Sequence, residues 1–189
     1  AAMRMILSNY DIAISENEFL KLVTVHSYGI FSTELALPFV NKGMKAIAYT
    51  FNLPVFGHLK LKIGSEVIPE NLKFGLEKAS TKIVAESIRN YLSAGGKMIW
   101  QPPSIGLFKE SITRGPVLVS VNTATLGDYW RHWNNGHYLV IAEIGELDSL
   151  VFDPYYTAEK GTYRIENNRL LAAITINSTH STDYCLTLE

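Results

Sequence analysis

The hydrophobic period of this chain shifts from mostly helical in its first half to mostly extended in its second. Up to about residue 43 the apolar residues recur at helical spacing, and from about residue 97 they fall mostly into short extended runs. No Ser/Gly/Pro-rich linker and no internal repeat divides the two regimes. Helices followed by strands predict an α+β fold, because regular alternation of the two would be needed for a parallel α/β sheet. With 189 residues at 47% hydrophobic there is material for one well-buried core and too little for two. The expectation is a single domain over 1–189, helical over 1–43 and mainly sheet over 97–189.

Residues Ala1 to Tyr10 put Met3, Ile6, Leu7 and Tyr10 on one helical face. Ser15 and Glu18 have capping-box spacing, predicting a second helix that fades near Gly29. A third is predicted from Ser32 to Lys42, closed by Gly43 in a left-handed turn and at risk of a kink at Pro38. Lys45 to Phe51 alternates as a strand. The stretch from Asn52 to Glu70 predicts an excursion with one short strand around Leu59 to Ile63. Ser80 to Leu92 returns to helical spacing and stops at Gly95-Gly96. Strands are predicted at Lys97 to Trp100, Val117 to Asn122, Tyr138 to Ile144 and Leu150 to Phe152, with further extended segments at Leu171 to Ile176 and Tyr184 to Leu188.

Several function classes lose support at this level. A formal charge of −1 gives no bulk attraction to nucleic acid or an anionic membrane, and the basic residues are scattered rather than striped among aromatics. No apolar run reaches bilayer length and no signal-peptide order opens the chain, so direct membrane insertion is not expected. The single cysteine, Cys185, implies no intramolecular disulfide; a bacterial cytoplasmic chain is expected, with a secreted effector as the alternative. Five histidines without His-x-x-x-His spacing predict no metal site, and the absence of a glycine-rich phosphate loop predicts no nucleotide or other cofactor. His26, His58 and His180 are expected to be solvated, and Cys185 to be an ordinary core or edge residue.

The chemistry concentrates in Asn134 to Tyr156. His137 opens one apolar strand, Gly145 to Asp148 forms a turn, and Asp153 follows the partner strand. Antiparallel pairing brings His137 and Asp153 to the same end of a hairpin. A carboxylate there would fix one tautomer and orientation of the imidazole and stabilise its protonated form, as a general base serving a nucleophile requires. The alternative is a surface His at a strand start beside an Asp-Pro turn. The loop Tyr129 to Asn135 precedes His137, making Trp130, Trp133 and the adjoining Tyr138 candidate substrate-binding residues. His132, with no carboxylate partner in sequence, is the less favoured base.

Three segments carry a family resemblance. Gly115-Pro116-Val117-Leu118-Val119-Ser120-Val121, Gly136-His137-Tyr138-Leu139-Val140-Ile141 and Val151-Phe152-Asp153-Pro154-Tyr155 resemble the second half of papain-like cysteine peptidases that process double-glycine leader peptides in bacteriocin export, and of their stand-alone relatives. Met3 to Tyr10, then Ile14-Ser15-Glu16 and Glu34-Leu35-Ala36, resemble that family's helical half. The resemblance extends to about Ile176 and lapses between Asn52 and Lys97.

It implies a papain-like fold and a Cys-His-Asp peptidase acting on a peptide or protein, with His137 and Asp153 as two of the three groups. The family's nucleophilic cysteine would fall about three residues before Ala1, within one helical turn, and its oxyanion-hole glutamine earlier still. Three chains fit this: a piece of a larger enzyme, favoured by a helix already under way at Ala1; a catalytically inactive binding module for a leader peptide or partner protein; or an altered N-terminus with Ala1 or Ala2 in place of the reactive residue, which the helical spacing disfavours. The resemblance equally admits a toxin or effector with the same fold acting as protease, deamidase or acyl transferase, and a fused or associated export system.

Overall fold

The computed structural model describes residues 1–26, 29–52, 79–126, 136–155, 161–178 and 181–189. In chain order these form α1 (Ala2–Ser8), α2 (Glu16–Leu20), α3 (Ser32–Val40), β1 (Ala46–Thr50), α4 (Ala79–Ser93), β2 (Lys97–Trp100), α5 (Ile105–Ile112), β3 (Val117–Asn122), β4 (Gly136–Ile144), β5 (Asp148–Phe152), β6 (Thr162–Glu166), α6 (Asn167–Ser178) and β7 (Cys185–Leu188). The fold is α+β, with one seven-stranded sheet in the order β2-β1-β7-β3-β4-β5-β6. Only β1 and β2 pair in parallel; every other neighbouring pair is antiparallel.

Strand alternation divides the core into two layers. Val117, Val119 and Val121 of β3, with Leu139 and Ile141 of β4, pack against Leu107 and Phe108 of α5 and Leu170, Ala173 and Ile174 of α6. The intervening Leu118 and Val140 pack on the other face against Met3, Ile6 and Leu7 of α1 and Leu35 and Phe39 of α3. Helices thus cover both faces, and α1 lies directly over the strands that lead to His137.

Local signals explain the helix boundaries in the first half. Ser15 and Glu18 form the expected capping box, with Ser15 N–H donating to Glu18 Oε2 at 2.9 Å and Glu18 N–H to Ser15 Oγ at 3.3 Å. Gly43 takes φ +91° after α3, and Met44 N–H closes back onto Phe39 O at 3.1 Å. Pro38 is accommodated inside α3, where the missing donor removes one bond to the Glu34 carbonyl.

Two expectations need correction, and two elements were not foreseen. The second helix ends at Leu20 and does not run toward Gly29. Leu171 to Ile176, expected to be extended, lies inside α6, where Leu170, Ala173, Ile174 and Asn177 are buried at helical spacing. α5 and β6 were not foreseen. Helix α5 starts from Ser104, whose Oγ accepts from Leu107 N–H at 3.1 Å, and β6 buries only Ile165 at the sheet edge. The strand expected around Leu59 to Ile63 falls outside the described residues.

Candidate active site

The site is built on the β4–β5 hairpin. Val140 pairs with Phe152 and Ile141 with Val151, so continuing the register sets Asp153 beside Leu139. His137 lies two residues further along β4 and on the same face, which makes it the diagonal neighbour of Asp153. Its Nε2 meets Asp153 Oδ1 at 2.8 Å. The carboxylate is buried, with 3% of its side chain exposed, whereas the imidazole keeps 19%. Two backbone bonds hold the acid in place: Asp153 N–H donates to Gly161 O, extending the β5–β6 ladder, and Tyr155 N–H donates to Asp153 Oδ1, both at 2.8 Å. The latter is an Asx turn of the kind an Asp-Pro sequence favours.

A buried carboxylate against a partly exposed imidazole can hold the ring in one orientation. Since Asp153 engages Nε2, a proton exchanged with a nucleophile would move at Nδ1. His137 lines a cleft of about 790 Å³. One wall is apolar and comes from the helical half, including Met3, Phe19, Ile30, Phe31 and Leu35; Ala1 and Ala2, at the N-terminal end of α1, also border it. The lining of the cleft also carries polar residues, among them Ser120, Tyr155, Asn177 and Thr182.

Of the expected substrate-binding residues, Tyr138 lines this cleft, and its hydroxyl donates to the Ile30 carbonyl at 3.2 Å, joining the sheet to the segment before α3. Trp130 and Trp133 lie outside the described residues, as do His58, His132 and His180. His26 corrects the expectation of a solvated histidine: its Nε2 meets Glu34 Oε1 at 2.8 Å, with the two side chains only 14% and 13% exposed. Cys185 is buried in β7, and burial pushes its thiol well above the ordinary range, so it is a core residue.

Sequence alone did not reveal three buried polar groups near the cleft. Asn177 donates from Nδ2 to the Ser120 hydroxyl, and both residues are buried. Asp183 is buried as well. Its carboxyl accepts from the Ser32 hydroxyl and, at 2.8 Å, from Thr182 Oγ1, and burial raises its pKa to about 6. Nothing in the polar residue types announced that they turn inward.

Among the described residues no group of three or more His, Cys, Asp or Glu side chains is placed to hold a metal ion, and no helix is long and apolar enough to cross a membrane. No protein-family model, curated protein or solved structure matches the chain.

Proposed function

We propose that the cleft is the active site of a papain-like cysteine peptidase acting on a peptide or protein substrate. The observation that carries this reading is the His137–Asp153 bond at 2.8 Å on a cleft that the N-terminal end of α1 also borders. A thiol in the segment just before Ala1 would face the imidazole across that cleft. The N-terminal end of a helix favours a thiolate, and His137 would take its proton with Asp153 stabilising the imidazolium. The thiolate attacks the acyl carbon, the amine leaves with the proton from His137, and a thioester remains. Water, deprotonated by His137, then releases the acid and restores the thiol.

The test uses the full natural chain with its upstream sequence. Iodoacetamide labelling followed by peptide mass mapping should find one cysteine before Ala1 that reacts near neutral pH, and His137→Ala should slow that labelling without unfolding the protein. A native upstream sequence with no cysteine, or a cysteine whose reactivity ignores His137, would overturn the peptidase reading and leave a binding module.

A further inference from the structure

Asn177 is positioned as more than a structural tie. It lies in the last turn of α6, is 92% buried, and borders the cleft. Its Nδ2 donates to the Ser120 hydroxyl, itself 93% buried, and its Oδ1 has no hydrogen-bond partner among the described residues. The carboxamide packs over Gly136, the residue before His137: a Cβ built on Gly136 would sit 3.1 Å from Asn177 Oδ1. Gly136 does not adopt positive φ, so the demand at this position is for space beside Asn177 rather than for an unusual backbone.

A buried Ser–Asn pair is an uneconomical way to fasten a helix to a sheet. Two apolar side chains of similar size would do so without desolvating polar groups, and an amide left half-satisfied is unfavourable. The pair makes sense if the rest of the carboxamide serves a ligand. With one N–H on Ser120, it still offers an acceptor and a second N–H, the complement of the N–H and C=O edge of a peptide unit.

We infer that Asn177 is a substrate-binding residue that grips a peptide unit next to His137, with Ser120 holding the carboxamide in place. This rests on the cleft being the active site and adds the residue that recognises the amide of a peptide substrate there.

The probe is N-methylacetamide, a single peptide unit, compared with methyl acetate, which has the same shape but no N–H. Both are titrated into the full natural chain while NMR follows the Asn177 side-chain NH₂ and the His137 ring. The expected result is a shift of both groups with N-methylacetamide, and about threefold to tenfold weaker binding of methyl acetate, the effect of one hydrogen bond. The paired variant Ser120→Ala/Asn177→Leu, which leaves no orphaned hydroxyl, should abolish the preference while leaving the His137 resonances folded. A probe that shifts His137 without Asn177 overturns the inference and leaves the peptidase reading standing. Equal binding of the two probes, or no shift with either, overturns it too. Amide-selective binding in a chain whose upstream sequence carries no reactive thiol would sink the peptidase reading alone.

Discussion

His137 and Asp153 are 16 positions apart in the chain and 2.8 Å apart as Nε2 and Oδ1, because a hairpin turn folds one strand back on the next. The pairing is a product of sheet register, so it forms wherever the hairpin forms. On the proposed reading, its catalytic weight can be measured separately from its structural weight. His137→Ala should lower turnover by about 10² to 10⁴, the range for a general base, and Asp153→Asn by less, since the imidazole stays but loses its anionic partner. Circular dichroism and thermal melting of both variants should report a folded protein; an unchanged turnover would remove His137 from the mechanism.

Asp183 should make the protein less stable as pH rises. Its native pKa of about 6 lies above the ordinary carboxyl value of 3.8, so the folded chain holds this proton more tightly than the unfolded chain. The stability it contributes is complete below about pH 4 and is lost as pH rises through 6, on the order of 3 kcal/mol in all. Asp183→Asn should remove that slope, so that at pH 8 the variant unfolds at a higher denaturant concentration than the parent. Equal midpoints for the two proteins at pH 4.5 and pH 8 would contradict it.

Cys185 should be silent toward alkylating agents in the folded protein. Its sulfur is buried and its thiol pKa is raised by that burial, leaving neither access nor thiolate. Iodoacetamide should modify it only in denaturant, as read by peptide mass mapping. Cys185→Ala should cost about 1 kcal/mol of stability through lost packing and leave turnover as it was.

Gly96→Ala should destabilise the protein by about 1–3 kcal/mol. A Cβ at Gly96 would come 2.4 Å from the Tyr91 ring, and that ring is fully buried, with its hydroxyl donating to Lys97 O at 3.2 Å. Urea titration of the variant against the parent provides the measurement.

The hairpin and its polar ends were legible in the sequence because its strands are short apolar runs on either side of a Gly145-to-Asp148 turn, with Leu139, Val140 and Ile141 buried on both faces. The capping box at Ser15 and the stop at Gly43 were legible because they are local. Leu171 to Ile176 misled because its β-branched and apolar residues read as a strand, while the buried set Leu170, Ala173, Ile174 and Asn177 includes one polar member. The inward turn of Asn177, Ser120 and Asp183 had no sequence signature: a polar residue buried by its partners looks the same in the chain as one in solvent. Each finds its partner on a distant segment, Asp183 as far away as Ser32.

The sheet order also sets a timetable. Strand β7, the last of the described strands in the chain, lies between β1 and β3, so without it β2–β1 and β3–β4–β5–β6 are two half-sheets with facing open edges. A chain emerging from the ribosome can pair His137 with Asp153 as soon as the β4–β5 hairpin is out. It cannot join β1 and β2 to that sheet until Cys185–Leu188 has been made and inserted between the halves. Such long-range closure is slow relative to local hairpin formation. The His137–Asp153 pair, on this order of events, is assembled before the sheet around it is closed.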